Sequence, residues 1–234
     1  ERIEQQVLFV EQGDKRDLLA QVLKGEDVRR ALVFTRTKRR ANRVMKQLSN
    51  QGIRADAIHA DKTQGARQRA LAQFDRGRIK VLVATDIVAR GIDVEGISHV
   101  INYDMPNDKE SYVHRIGRTA RAGAEGIALS FCAAEEVPIL KDIEQLTGAK
   151  LTVVEDHAFR SKGAERMHQQ THGQGAANKQ RGGNGRQGAA KRRGGGGQHQ
   201  QGAAKRRSGN KRGNAPSARE ASPQSRAPEI ASTP

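Results

Sequence analysis

Short apolar runs alternate with amphipathic segments from residue 3 to residue 146, and this alternation limits the possible folds more than any other feature. The run Ala31–Phe34 is continuously apolar and consists mainly of residues that favour strands. A segment of helical periodicity follows it, with an apolar face made of Ala41, Val44, Met45 and Leu48. The same unit then recurs along the chain. Strands are predicted over residues 3–10, 31–34, 54–59, 80–84, 99–103 and 127–131.

Capping residues mark the ends of the intervening helices. Thr37 and Thr63 each stand where a hydroxyl can accept from the first free N–H groups of a helix. Helices are predicted to begin near Asp14, Thr37 and Thr63 and to run over residues 108–118 and 135–146. Strands that are apolar on both faces and separated by helices indicate a parallel sheet covered on both sides. The sequence therefore predicts an α/β, doubly wound domain over residues 1–156.

The composition changes after Asp156. Residues 157–234 hold 16 lysines and arginines against three acidic residues, which accounts for most of the formal net charge of +16. Residues 187–193 return unchanged as residues 201–207, glycine is frequent, and Phe159 is the only aromatic residue of this part. We expect a disordered polycation that gathers RNA by releasing counterions. The alternative is a tail that only keeps the protein in solution.

The overall charge indicates a polyanionic partner, with nucleic acid favoured over membrane. The sequence has neither an apolar run of membrane-spanning length nor a secretory signal pattern. Cys132, the single cysteine, lies in an apolar run and is predicted to be a buried structural thiol. Because no internal disulfide can form, a reducing, cytoplasmic location is expected. The histidines show no metal-binding pattern, and the start at Glu1 suggests a piece of a longer protein.

Three arginines and a histidine crowd into residues 114–121 around Gly117. If the predicted helix continues far enough, Arg118 and Arg121 leave it on one face, because they are three positions apart. Paired guanidinium groups suit the oxygens of a phosphoryl group in transfer. On spacing alone, however, a solvated face with exposed ion pairs is the more frequent arrangement.

Polar residues also follow three of the predicted strands, where ligands collect in parallel sheets. They are residues 35–38, then residues 59–61 with Gln64 and Arg67, and finally Thr85 with Asp86. Hydroxyls, N–H groups and arginines in such positions contact phosphate and sugar without reading bases. Together they predict a track for a phosphate backbone.

The motif at residues 114–121, His-Arg-Ile-Gly-Arg-Thr-Ala-Arg, resembles the sixth motif of the DEAD-box RNA helicases, His-Arg-x-Gly-Arg-x-x-Arg. Residues 33–37, 59–67 and 84–93 resemble motifs IV, IVa and V of that family, in the family's order. The resemblance spans about two-thirds of the chain and implies a RecA-like fold with helices on both faces of the sheet. The basic tail, together with residues 34–38 and 62–67, makes the bacterial RhlE-type branch the most similar.

The resemblance also implies roles for individual residues. Arg118 and Arg121 are expected to be catalytic and to reach the γ-phosphate of ATP across an interdomain cleft. Gly91 and Asp93 are expected at the ribose and phosphate region of ATP. The expected RNA-binding residues are Thr37, Gln64, Arg67 and Thr85, and the expected residues for coupling the two domains are Arg90, His114 and Arg115.

Two positions depart from the family's pattern, because Ala60 and Ala120 stand where glycine is common. An added methyl group is expected to adjust backbone contacts rather than abolish function.

The sequence also contains neither a P-loop nor the Asp-Glu-Ala-Asp motif. The resemblance therefore implies that ATP and Mg²⁺ are bound mainly by an N-terminal RecA-like domain, and that this chain alone is inactive.

These expectations describe the second RecA-like domain of an ATP-dependent RNA helicase that unwinds short duplexes or remodels ribonucleoproteins. The expected partners are RNA, the N-terminal domain, and ribonucleoprotein or ribosome-assembly components. One alternative is a non-catalytic RNA-binding or annealing module that acts through its tail. Half of a DNA helicase is a further alternative, which the His-Arg-x-Gly form of the motif disfavours.

Overall fold

The computed structural model describes residues 3–89, 92–121 and 125–181, with side chains described for all of these except residue 89 and residues 172–181. The strands of this part are β1 (Ile3–Phe9), β2 (Ala31–Phe34), β3 (Ala55–Ile58), β4 (Val81–Ala84), β5 (His99–Asn102), β6 (Gly126–Cys132) and β7 (Thr152–Val153). The helices are α1 (Lys15–Leu23), α2 (Lys38–Asn50), α3 (Gln64–Asp75), α4 (Asp86–Ala89), α5 (Lys109–Ile116), α6 (Val137–Thr147) and α7 (Lys162–Arg181). A 3-10 turn, Ala134–Glu136, precedes α6. No helix in the described ranges is long and apolar enough to cross a membrane.

The strands form a parallel sheet in the order β3-β4-β2-β5-β6-β1-β7. All four residues of β2 are buried, as are all four of β4, so both faces of the sheet are covered at its centre. Helices α1 and α2 pack on one face, and α3, α5, α6 and the start of α7 pack on the other. The predicted α/β, doubly wound fold is confirmed.

Helix α2 and helix α3 begin at the predicted caps. The Thr37 hydroxyl accepts a hydrogen bond from the Arg40 N–H at 3.2 Å, and the Thr63 hydroxyl accepts one from the Ala66 N–H at 3.2 Å. Helix α2 ends at Asn50, and Gly52 then takes a positive φ of 77° that a side chain would disfavour. Local signals thus place these two helices correctly.

The predicted thiol environment is also confirmed. Cys132 closes β6 and is completely buried, together with Val7 and Val137, in the core beneath α6. Burial raises the pKa of its thiol, because the thiolate would lose its hydration. Cys132 is therefore unsuited to act as a nucleophile.

Regular structure continues past the boundary predicted at Asp156. Helix α7 occupies residues that the sequence assigned to a disordered tail. The Ser161 N–H donates to the Phe9 carbonyl at 2.8 Å, and Ala164 is completely buried. The rest of the predicted tail, residues 182–234, lies outside the described residues.

Two contacts hold the start of α7 against the sheet. The rings of His168 and Phe9 have centroids 5.2 Å apart, and the His168 Nε2 lies 2.9 Å from an oxygen of Glu144 in α6. The composition of α7 is close to that of the tail, with little apolar periodicity. Its position therefore depends on packing against β1 and α6, which a periodicity argument does not detect.

We expect Ala164→Asp to lower the free energy of unfolding by about 3 kcal/mol, because it buries an unpaired carboxylate between α7 and the sheet. Urea denaturation of the chain measures this change. Gln170→Asp is the matched control, since residue 170 is exposed on the same helix. Equal midpoints for the two variants would show that α7 does not belong to the folded unit.

Candidate functional site

The carboxyl ends of three neighbouring strands lie in register at one edge of the sheet. Phe34 pairs with Ala84, and Ile58 also pairs with Ala84. The polar segments that follow these strands begin at Thr35, His59 and Thr85. We call this surface the carboxyl edge. It brings the three predicted backbone-contacting segments side by side.

The four predicted RNA-binding residues all lie at the carboxyl edge. Thr37 caps α2, and Gln64 and Arg67 lie in the first turn of α3, where the Arg67 guanidinium donates to the Gln64 side-chain oxygen. Thr85 is half-buried at the end of β4, and its N–H donates to the Ile58 carbonyl at 3.4 Å. Thr37 and Gln64 are exposed, so both face solvent beside these strand ends.

Two buried nitrogens at the carboxyl edge have no hydrogen-bond partner among the described residues. They are Nε of Arg67 and Nδ1 of His59. The other ring nitrogen of His59 lies 3.0 Å from the Asn42 side-chain oxygen of α2. Burial, followed by the positive charge of Lys62, lowers the pKa of His59, so its imidazole is neutral at pH 7. Sequence reasoning missed this link between β3 and α2.

An ion pair joins the start of α2 to the segment after β3. The Lys38 ammonium lies 2.7 Å from a carboxylate oxygen of Asp61, and this hydrogen bond lowers the pKa of Asp61. Both side chains are about half exposed, so the pair contributes little to stability. It still limits where the His59–Asp61 segment can move relative to α2.

Arg115 lies inside the domain rather than on its surface. Its guanidinium is 1% exposed and binds both carboxylate oxygens of Asp86, at 2.6 and 2.8 Å. Its Nη1 donates to the Asn102 side-chain oxygen at 3.0 Å and to the Asp104 carbonyl at 2.8 Å. The guanidinium also lies 5.0 Å from the ring centroid of Phe34.

The predicted role of Arg115 in coupling two domains stays a prediction, and its burial means that such a role would act through its partners within the domain. A buried side chain whose donors are used within the domain has no surface to offer another domain. It joins α5 to α4 and to the end of β5 instead. His114, which precedes Arg115 on α5, is exposed to solvent.

Arg118 and Arg121 do not share a helix, because α5 ends at Ile116 and Gly117 is its C-cap. Ala120 has a φ of +57°, which a continuing helix cannot contain. The condition on which both arginines would leave one helical face is therefore not met. The segment from Gly117 to Arg121 is a tight turn, which we call the arginine turn.

The arginine turn nevertheless brings the two guanidinium groups close together. Burial lowers the pKa of Arg118, and the positive charge of Arg121 lowers it further. Arg118 donates from Nη1 to the Ile92 carbonyl at 3.0 Å and from Nε to the His114 carbonyl at 3.2 Å. Arg121 donates to the Gly117 carbonyl at 3.2 Å and to the Asp93 carboxylate at 2.5 Å.

Asp93, which the resemblance places at the ribose and phosphate region of ATP, lies beside Arg121 in the structure. Its carboxylate is 92% exposed although it pairs with Arg121. An exposed acceptor can be exchanged for another anion at small cost, because water screens the pair. Gly91, predicted to bind ATP with Asp93, and Arg90, predicted to couple the two domains, lie outside the described residues.

A buried threonine holds the arginine turn in place. The Thr119 hydroxyl donates to the Ile97 carbonyl, and Thr119 is 1% exposed. A Cβ on Gly126, the first residue of β6, would overlap the Thr119 side chain and the Ala120 nitrogen. Glycine is required at residue 126 for this close approach. At residue 120 a methyl group in the left-handed region costs roughly 1–2 kcal/mol.

A second buried network connects α1 to the carboxyl edge. The Glu136 carboxylate accepts from the Lys15 ammonium at 2.5 Å, from the Arg36 guanidinium at 3.3 Å and from the Met105 N–H at 3.1 Å. Lys15 and Glu136 are both buried. Sequence reasoning missed this network, since its members are far apart in the chain and share no spacing. It fixes Arg36 beside the predicted RNA-binding segment.

Asp104 ties the same edge together from the end of β5. It is fully buried and accepts from the Arg36 N–H at 2.9 Å and from the Arg40 guanidinium.

No group of three or more His, Cys, Asp or Glu side chains suited to a metal ion occurs in the described part.

Known proteins share both the sequence and this architecture. Residues 14–123 match the model of the helicase conserved C-terminal domain. The E. coli DEAD-box protein SrmB, solved bound to regulator of ribonuclease activity A, is 34% identical, with a TM-score of 0.64 over 69% of this chain and 96% of that chain. The chain belongs to the DEAD-box family. Its parallel sheet is the RecA-like fold of the family's C-terminal helicase domain.

Two further proteins extend this comparison. ATP-dependent RNA helicase CshA of Listeria monocytogenes is 44% identical over 161 residues, which cover 67% of this chain and 31% of the relative. The chain thus spans about a third of that relative's length. S. cerevisiae Dbp5, solved bound to RNA and ADP BeF3, is 32% identical with a TM-score of 0.62, covering 70% of this chain and 45% of that chain.

We expect Arg115→Lys to lower the free energy of unfolding by about 3 kcal/mol, although the charge is kept. Lysine cannot bind Asp86 with two parallel bonds and also reach Asn102, so buried acceptors lose their donors. Urea denaturation checks this. Arg76→Lys is the control, because residue 76 is exposed, and a change within about 0.5 kcal/mol is expected there. A stability loss no larger than that control would contradict the structural role.

We expect Gly126→Ala to destabilise the chain by about 1–3 kcal/mol, because the new methyl group overlaps Thr119 and forces the arginine turn to shift. Thermal unfolding measures the loss. Gly65→Ala serves as the control, since nothing lies within 4 Å of a Cβ there and the residue is in α3. That substitution should leave stability equal or raised. A tolerated Gly126→Ala would contradict the close packing of the turn.

Proposed function

We propose that this chain is the second RecA-like domain of an ATP-dependent DEAD-box RNA helicase. The observation that carries the proposal is the arginine turn, which places two guanidinium groups beside the exposed carboxylate of Asp93. The adjoining carboxyl edge presents the residues expected to bind a phosphate backbone. The proposed activity is unwinding of short RNA duplexes or remodelling of ribonucleoproteins, coupled to ATP hydrolysis.

In the proposed mechanism, Arg118 and Arg121 stabilise the negative charge that spreads over the γ-phosphate during transfer. Arg118 is held by the Ile92 and His114 carbonyls, which aim it without neutralising it. Arg121 exchanges its exposed partner, Asp93, for the phosphate. The Asp93 carboxylate, released from Arg121, then contacts the ribose and phosphate region of ATP together with Gly91.

ATP and Mg²⁺ are bound mainly by an N-terminal RecA-like domain in this proposal. The donor set of the arginine turn fits a polyanion, since its two charged groups are both guanidinium. ATP supplies the phosphoryl group whose transfer the arginines assist. The site is complete only when the two domains close, so hydrolysis depends on a conformational step.

Thr37, Gln64, Arg67 and Thr85 bind RNA phosphates and sugars in the proposed complex. Support comes from their common position at the carboxyl edge and from the unpartnered Nε of Arg67, a donor that a phosphate oxygen would satisfy. Contacts of this kind select a backbone shape rather than a base sequence. The RNA-bound Dbp5 structure shows RNA binding by a family relative.

Coupling between the domains is assigned to Arg90 and His114, with Arg115 acting from inside. His114 is exposed and adjacent to Arg115, which holds Asp86 immediately after Thr85. A displacement of α5 is therefore transmitted through the Arg115–Asp86 pair to Thr85, which is proposed to contact RNA. Arg115 is thus proposed to contribute to coupling by positioning Asp86.

The basic tail is proposed to tether RNA, through residues beyond α7 in particular. Its charge and repeats also support assignment to the RhlE-type branch, although the relative compared above is a CshA protein. Ribonucleoprotein or ribosome-assembly components are proposed as further partners, and the proposed location is the cytoplasm. These assignments rest on sequence character alone.

The test is RNA-stimulated ATP hydrolysis by the full-length protein that carries this domain. Arg118→Lys and Arg121→Lys should each lower turnover a hundredfold or more, about 2.7 kcal/mol of transition-state stabilisation, because lysine keeps the charge but lacks the fork. Arg76→Lys, at an exposed site on α3's C-cap, should leave turnover unchanged. The present chain alone should hydrolyse no ATP.

Unchanged turnover in both arginine variants would remove the arginine turn from the reaction. If the full-length protein also hydrolyses no ATP but anneals RNA through its tail, a non-catalytic RNA-binding module replaces the helicase proposal.

A further inference from the structure

Helix α2 has an unusual charge for a helix of 13 residues. It carries five cations and no acidic residue. Three of the cations, Lys38, Arg39 and Arg40, form its first turn, where the positive end of the helix dipole disfavours them. Cations in this position do not help α2 to form, so their presence points to an interaction outside the helix.

Two of these first-turn cations are neutralised within the domain. Lys38 pairs with Asp61, and Arg40 pairs with the buried Asp104. Arg39 has no such partner. In the described part of the chain, no hydrogen bond or ion pair is formed by the side chains of Arg39, Arg43 or Lys46.

The three unpaired cations lie on one face of α2. At about 100° per residue, Arg39, Arg43 and Lys46 fall within an arc of about 60°, opposite the buried Val44 and Leu48. All three are exposed. We call this face the α2 row. From Arg39 to Lys46, seven steps of 1.5 Å, it extends for about 10 Å along the helix axis.

The chemistry of the α2 row limits what it can bind. Arg39 and Arg43 are four residues apart, so their like charges repel each other in the free helix. The side chains beside the row, Asn42 and Asn50, are exposed, polar and uncharged, which leaves no apolar anchor for a hydrophobic partner. An extended polyanion would relieve the repulsion and engage the whole row.

The α2 row is continuous with the carboxyl edge. Arg39 is two residues from Thr37, the cap of α2 and one of the proposed RNA contacts. An RNA strand bound at the carboxyl edge can therefore continue onto the outer face of α2 and remain in contact with positively charged side chains.

We propose that the α2 row is a second contact for the RNA backbone, which binds nucleotides beyond those held at the carboxyl edge. This inference rests on the proposed function and adds to it a longer RNA footprint. RNA is favoured over an acidic peptide because the row continues the edge and because guanidinium forks match phosphate oxygens. Its contacts read the backbone and select no base sequence.

The experiment compares two triple variants of the whole chain with equal charge. One is Arg39→Gln/Arg43→Gln/Lys46→Gln in the α2 row. The control is Lys150→Gln/Lys162→Gln/Arg166→Gln, three exposed cations near α6 and α7. Glutamine preserves helix propensity, and circular dichroism verifies the fold of both. The tail is unchanged in each protein, so its contribution to binding is the same.

RNA affinity is measured by fluorescence anisotropy between about 50 and 200 mM salt, with single strands of about 6 and about 20 nucleotides. For the longer RNA, the slope of log K against log salt concentration should be shallower by about 2 units in the row variant than in the control. Each of the three lost phosphate contacts contributes about 0.7 to that slope. Its Kd near 150 mM salt should rise at least tenfold. For the shorter RNA, the two variants should agree within threefold.

A third variant, Arg67→Gln, separates this inference from the proposed function. It should weaken binding of both RNAs, since it removes a contact at the carboxyl edge. If it does so while the row variant matches the control, the proposed function stands and the α2 row is overturned. If neither variant differs from the control, RNA binding at the edge fails as well.

Poly-L-glutamate tests whether the α2 row binds an acidic peptide instead of RNA. Loss of poly-L-glutamate binding in the row variant, with RNA binding equal to the control, would assign the row to an acidic protein and overturn the proposal. Loss of RNA binding by the row variant with Arg67→Gln unaffected would also overturn it. The row would then be a separate site rather than a continuation of the edge.

Discussion

The buried guanidinium of Arg115 is the interaction on which the carboxyl edge depends. One side chain binds both oxygens of Asp86, the Asn102 side chain and the Asp104 carbonyl, and it lies against the ring of Phe34. Removing such a charge from water is costly unless it is paired and hydrogen-bonded, and here Asp86 of α4, Asn102 of β5 and the Asp104 carbonyl accept four hydrogen bonds from it. The segment that follows β4 is therefore fixed relative to α5. The edge keeps one arrangement because this single group requires all of its partners at once.

The arginine turn depends on a different constraint, the close packing of backbone against backbone. Thr119 is anchored to the Ile97 carbonyl and approaches Gly126 so closely that a side chain there would overlap it. In this closely packed segment Ala120 lies in the left-handed region, and α5 ends at Ile116. The two arginines are positioned by the turn, and not by helical periodicity. Both guanidinium groups donate to backbone carbonyls, Arg118 to Ile92 and His114, and Arg121 to Gly117.

Local patterns predicted much of the fold and part of the site. The strands β2 and β4 are apolar on both faces, and Thr37 and Thr63 cap helices, so hydrophobic periodicity and capping chemistry were enough for these elements. Helix α7 escaped prediction, because its composition is that of the tail and its order comes from contacts with β1 and α6. The Lys15–Glu136 pair also escaped, since no local rule joins residues so distant in sequence.

By itself, the amino-acid sequence determined the alternation of strands and helices and the motifs that mark the site. These are local properties, set by side-chain polarity, capping groups and spacing along one segment. Only the tertiary structure decided that Arg115 is buried, that Arg118 and Arg121 leave a turn, and that the cations of α2 divide into paired and unpaired ones. Each of these depends on which distant groups come within hydrogen-bonding distance, and the packing of the sheet and its helices sets that proximity.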